Sequence, residues 1–152
     1  MRTRCGRSAQ RAAIGVAALF LLTGCGGGER SSPEGAVRGW LDALEARDTA
    51  KAHDAFTERT RELVDEIGRL GSAGREGHPV ITIEDWCRTF CGATVEGSTL
   101  HGDSATVRIR IDDDVDRLPV VRGGEGWKIE LSGNLEPAVE LLRERESADP
   151  LP

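Results

Sequence analysis

Ala105-Thr106-Val107-Arg108-Ile109-Arg110-Ile111-Asp112 alternates apolar and polar side chains without a break. Successive side chains of a β-strand point to opposite faces. Ala105, Val107, Ile109 and Ile111 therefore share one face, and Thr106, Arg108, Arg110 and Asp112 share the other. This is the pattern of an antiparallel strand with one face on a core and the other in water. On its N-terminal side, Thr94 to Leu100 is expected to pair with it through a turn at His101-Gly102-Asp103. On its C-terminal side, Leu118 to Arg122, the turn Gly123-Gly124-Glu125-Gly126, and Trp127, Ile129 and Leu131 alternating with Lys128 and Glu130 predict a second hairpin. Pro119 lacks a backbone donor, which places its strand at a sheet edge or makes it start late.

Ahead of the strands the apolar period is helical. Ser32 is an N-cap with Pro33 at the first helical position, and Val37, Trp40, Leu41 and Leu44 recur at i, i+3, i+4, i+7, predicting a helix that ends near Ala46. Asp48 caps a shorter helix over Thr49 to Phe56. A third runs from about Glu58 to Leu70, with Leu63, Val64, Ile67 and Leu70 inward, until Gly71 to Gly77 break it. Thr82 and Asp85 have capping-box spacing and Gly92 is a stop, which predicts a short helix over 83–91. After the hairpins, Leu135, Val139 and Leu142 mark a last short helix, and residues 143–152 read as a charged, poorly ordered tail. Helices first and hairpins second is an α+β order, with the helices on one face of an antiparallel sheet.

The N-terminus carries an address. Arg2, Arg4, Arg7 and Arg11 precede an apolar run, Ala12 to Leu22, and no acid occurs before Cys25. The run is shorter than the roughly 20 residues that span a bilayer, and it has the layout of a secretory signal. At its end, Leu22-Thr23-Gly24-Cys25 resembles the lipobox at which bacteria lipidate and cut exported proteins. The resemblance implies a signal peptide over 1–24, a diacylglyceryl group on the Cys25 thiol, a mature chain that starts at Cys25, and acylation of its new amino group. Two or three acyl chains on one residue hold a protein on a membrane, at about 0.8 kcal/mol per buried methylene, where one chain holds it weakly. Residues 25–32, rich in Gly and Ser, read as a flexible tether. The localisation implied is the cell membrane or outer membrane, facing away from the cytoplasm. The partner is the membrane, reached through the lipid on Cys25.

Removing residues 1–24 deletes four arginines and no acid, so the formal charge falls from −6 to −10. Such a surface repels phosphate, which argues against nucleic acid as a partner and against electrostatic docking on anionic lipid. Once Cys5 leaves with the signal and Cys25 carries lipid, Cys87 and Cys91 remain. An exported location makes a disulfide their default, with free thiols and a metal or redox role as alternatives. On a strand, residues four apart lie about 13 Å from each other, beyond the reach of a bridge, so the pair requires a helical turn or a bend.

Further residues carry a family resemblance. Pro33-Glu34-Gly35-Ala36-Val37-Arg38-Gly39-Trp40-Leu41-Asp42-Ala43-Leu44 followed by Arg47-Asp48, then Gly102-Asp103-Ser104-Ala105-Thr106-Val107, then Gly126-Trp127-Lys128-Ile129, resemble small bacterial lipoproteins with a nuclear-transport-factor-two-like (cystatin-like) domain. The resemblance covers most of residues 33–132. It implies a domain over 33–142 in which N-terminal helices pack on a curved antiparallel sheet, forming a cone with a pocket at its wide end. In that superfamily some members use the pocket for isomerase or cyclase chemistry on small hydrophobic molecules, and many lipoprotein members have no known activity. Trp40, Trp86 and Phe90 are the candidates to line such a pocket here, although aromatic residues at helical spacing are more often core. The Cys87/Cys91 pair and the short helix before the hairpins depart from the family pattern at the pocket mouth.

Catalytic residues do not emerge. His101 falls in a predicted hairpin turn, His78 precedes Pro79 in a loop, and His53 falls on the wet side of the second helix. Asp112-Asp113-Asp114 with Asp116 has carboxylates for a hard cation, but it lacks the glycine and distal Glu of a calcium loop and reads as a solvated turn. No nucleophile stands beside a base, and no cofactor or metal is implied. The expectation is a lipid-anchored envelope protein, non-catalytic rather than an enzyme, that binds a partner protein or a small ligand. The alternative is an enzyme acting on a small hydrophobic substrate in the cone pocket.

Overall fold

The computed structural model describes residues 30–72 and 82–148. Among these the elements are α1 (Pro33–Glu45), α2 (Thr49–Asp54), α3 (Glu58–Ser72), α4 (Ile83–Phe90), β1 (Thr94–His101), β2 (Ser104–Ile111), β3 (Asp114–Gly123), β4 (Gly126–Ile129) and α5 (Ser132–Ala148). The class is α+β: helices with one open antiparallel sheet in the order β1-β2-β3-β4. Residues 1–29, which include the signal segment, Leu22, Thr23, Gly24 and Cys25, lie outside the described residues, as does His78.

The helix starts follow their capping chemistry. The hydroxyl of Ser32 accepts a hydrogen bond from the Gly35 N–H at 3.0 Å, with Pro33 in the first turn. Asp48 accepts from Lys51 N–H in the same way. Thr82 and Asp85 make the reciprocal capping box: Asp85 N–H to the Thr82 hydroxyl at 3.2 Å, and Thr82 N–H to the Asp85 carboxylate at 3.0 Å.

The alternation of β2 sets the core. Ala105, Val107 and Ile109 are buried, and β3 and β4 add Leu118, Val120, Trp127 and Ile129 to the same face. Helix α1 lies across that face and touches all four strands with its stripe of Ala36, Val37, Trp40, Leu41 and Leu44. Burying a large aliphatic side chain contributes about 1.5–3 kcal/mol, so this one helix–sheet contact carries much of the fold's stability.

Two features of the sheet differ from the sequence reading. The two predicted hairpins are joined by a third, because β3 begins at Asp114 and turns back on β2 through Asp112-Asp113, pairing Ile111 with Asp114 and Ile109 with Asp116. Asp112 takes a left-handed φ of 51°, which Asp tolerates better than most residues. Pro119 then sits in an internal strand rather than at an edge. Its carbonyl accepts from Glu130 N–H, one residue past the end of β4, so its missing donor would point to the same side, where the β3–β4 ladder has ended. Pro119 therefore faces Glu130 where the ladder stops, and the bond this pair lacks is the one that a proline cannot donate.

The last helix also exceeds its expected length. It continues through Ala148, six residues into the segment read as a disordered tail. The guanidinium of Arg143 donates to both carboxylate oxygens of Glu66 on α3, at 2.9 and 2.8 Å, and Glu136 accepts from Arg59 of the same helix at 2.9 Å. These ion pairs tie the exposed side of α5 to α3, while Leu135 and Val139 supply its buried contacts. Residues 149–152 lie outside the described residues.

Candidate functional site

Trp40, Trp86 and Phe90 do come together, and Phe56 joins them. Trp40 stands at the centre, with ring centroids 5.8 Å from Phe56, 5.8 Å from Trp86 and 5.1 Å from Phe90. The rings meet tilted or edge-on, the arrangements that the aromatic quadrupole favours. Trp40 is fully buried, Phe56 and Phe90 are buried, and Trp86 is half-buried. The cluster gathers α1, α4 and the α2–α3 connection, so the three candidate pocket residues have a packing role. The Nε1–H of Trp40 is buried without an acceptor among the described residues. A cleft lined by Arg30, Ala36, Gly39, Trp40, Lys51 and Ala55 encloses about 10 Å³, room for about one water molecule.

Cys87 and Cys91 are at disulfide distance, with Cα atoms 4.6 Å apart across the last turn of α4. The helical turn required by their spacing is present, and Gly92, at φ 87°, follows it. A bridge at this position would staple the end of the helix that brings Trp86 and Phe90 to the cluster.

A second polar site was not anticipated. Glu130, read as one of the outward residues alternating along the last strand, is half-buried beneath a set of donors. Its carboxylate accepts from Thr57 at 2.8 Å, from Thr60 at 3.2 Å and from the backbone N–H of Ser132 at 2.9 Å. Thr60 is fully buried, and its hydroxyl also accepts from Leu131 N–H at 2.9 Å. Burial is the largest single influence on Glu130 and raises its pKa. The hydrogen bonds from Ser132, Thr57 and Thr60 together outweigh it and hold the carboxyl below its ordinary value. The signal for this site was the Thr57/Thr60 spacing at the start of α3, where Thr57 also accepts from Thr60 N–H.

The remaining candidates are dispersed. His101 ends β1 and is exposed, and His53 on α2 lies 3.1 Å from a carboxylate oxygen of Asp65 on α3. Asp112, Asp113, Asp114 and Asp116 are all exposed. Among the described residues no three His, Cys, Asp or Glu side chains are placed to hold a metal ion, and no helix is long and apolar enough to cross a membrane.

The end of the expected tether is part of the fold. The carbonyl of Arg30 accepts from Trp127 N–H at 3.0 Å, while its guanidinium donates to the Asp54 carbonyl at 3.0 Å and pairs with the Asp54 carboxylate. Gly126 makes this approach possible: a Cβ there would stand 2.6 Å from the Arg30 carbonyl oxygen, and its φ of 100° already favours glycine. The guanidinium of Arg122 lies 5.3 Å over the Trp127 ring on the same hairpin. Arg30, three residues before the boundary expected from the Ser32-Pro33 cap, is thus packed against the domain. Comparison with family models, with curated proteins and with solved structures finds no match.

Proposed function

We propose that this chain is a lipid-anchored cell-envelope protein, acylated on Cys25, whose nuclear-transport-factor-two-like domain binds a partner protein or a small ligand and catalyses no reaction. The observation that carries the address is Leu22-Thr23-Gly24-Cys25 at the end of a basic-then-apolar leader. The α+β order, with helices before an antiparallel sheet, is compatible with the cone of that superfamily.

Electrostatics support the non-catalytic reading. General acid–base chemistry near neutral pH needs a carboxyl raised toward the working pH. The displaced carboxyls of the described residues move the other way. Glu34 is lowered by the Ser98 hydroxyl, Asp54 by Arg30, and Glu130 by its donors against its burial. The aromatic cluster, where a hydrophobic substrate would enter a cone, is occupied by its own side chains. Recovery of the chain from membranes, followed by mass spectrometry of what co-purifies, tests the binding reading. A specific protein or small molecule retained by wild type and lost after disruption of the domain is the expected result, and a turnover activity in the purified domain would overturn it.

A further inference from the structure

The structure describes one end of the sheet as the place where the N-terminal segment enters. The His101–Asp103 turn and the Gly123–Gly126 turn lie side by side there, joined by the hydrogen bond from Arg122 N–H to the Asp103 carbonyl, and Arg30 is latched beneath them on Trp127 and Asp54. The Asp112-Asp113 turn is at the opposite end of β2 and β3. Resting on the acylation of Cys25 proposed above, we infer that the end bearing the Gly123–Gly126 turn faces the phospholipid headgroups and that the Asp112-Asp113 turn points away from them.

Lengths decide this first. From Cys25 to Arg30 the chain has five residue steps, which reach at most about 17 Å when fully extended. Strand β2, Ser104–Ile111, separates the two ends of the sheet and spans about 24 Å at about 3.4 Å per residue. An inverted domain would lift Arg30 farther from the lipid than the segment can reach while the latch holds.

Charge then separates standing from lying flat. At the latched end Arg30 pairs with Asp54 and Lys128 with Glu125 at 2.7 Å, and Asp103 and Arg122 add one charge of each sign, so the charges balance. At the far end Asp112, Asp113, Asp114 and Asp116 have no ion-pair partner among the described residues. An anionic surface acts over a Debye length of about 8–10 Å. Lying flat brings the four acids into that layer, and standing upright holds them beyond it. The surface left for an envelope partner is the acidic far end and the sides of the sheet.

The test uses the acylated chain in vesicles of zwitterionic and anionic phospholipid that carry a headgroup-linked quencher. A fluorophore is placed on Gly124→Cys or on Asp113→Cys, with His101→Cys and Asp114→Cys as a second pair. Severalfold stronger quenching at 124 and 101 than at 113 and 114 is expected. Equal quenching at the two ends, or stronger quenching at 113 and 114, overturns the orientation. Intact mass of the same sample keeps the two readings apart. An acylated chain with equal quenching removes the orientation alone, and a chain without acyl groups on Cys25 removes the address and the orientation with it.

Discussion

Gly126 is the residue on which the seating of Arg30 depends. Replacing it with Ala puts a Cβ against the Arg30 carbonyl and holds a side chain at φ 100°; the backbone conformation alone costs about 1–3 kcal/mol. Gly126→Ala should lower the denaturation midpoint accordingly and expose the segment before Pro33 to protease, whereas wild-type stability would mean that Arg30 is not seated. Trp127, 3% exposed, tests the facing of the same strand. Trp127→Ala should cost about 3–5 kcal/mol, as truncation of a buried aromatic does, and an unchanged unfolding midpoint would mean that the strand faces are reversed. Thr60→Val removes the acceptor of the buried Leu131 N–H, an expected loss of about 1–3 kcal/mol. Glu130 makes the same network pH-dependent. Its folded pKa is lowered, so below the unfolded value the unfolded chain binds the proton more readily. The stability it contributes is complete above the unfolded pKa of about 4.3 and is lost as pH falls through the folded one. Urea midpoints measured across acid pH should therefore fall less steeply in Glu130→Gln than in wild type.

At the scale of elements, what the sequence disclosed and what it hid have physical causes. The helices with side-chain caps, α1, α2 and α4, start where Ser32, Asp48 and Thr82 place them, because a cap is a local device. Strand β2 was visible because its two faces meet different surroundings. The first half of β3 was hidden because Asp114-Val115-Asp116-Arg117 puts its one apolar residue, Val115, on the solvent side, 45% exposed. The end of α5 was hidden because the partner that orders Arg143 is Glu66, distant in sequence. Glu130 escaped notice for the same reason: Thr57 and Thr60 come from another element. The packing role of Trp40, Trp86 and Phe90 needed the fold to show it, since helical spacing alone does not say what a ring meets. The bridge within α4 closes a loop of few residues, so reducing it should cost less than the about 3 kcal/mol of a 15-residue loop. Thiol counting on the unfolded, unreduced mature protein should find none free, and two reactive thiols would remove the bridge.

For the whole molecule, one short segment links the address to the domain. If Cys25 is acylated as proposed, an acidic chain latched at Arg30 is confined to a layer near the membrane, with Asp112, Asp113, Asp114 and Asp116 facing outward. That arrangement suits a docking protein of the envelope better than a freely diffusing catalyst. It also makes acylation of Cys25 the claim on which localisation, orientation and partner class all rest. Intact mass of the protein extracted from the membrane fraction tests that claim most directly. The account predicts a chain that begins at Cys25 and carries acyl additions, together with release of a Cys25→Ser protein into the soluble fraction. Unmodified full-length chain recovered from the cell would contradict it.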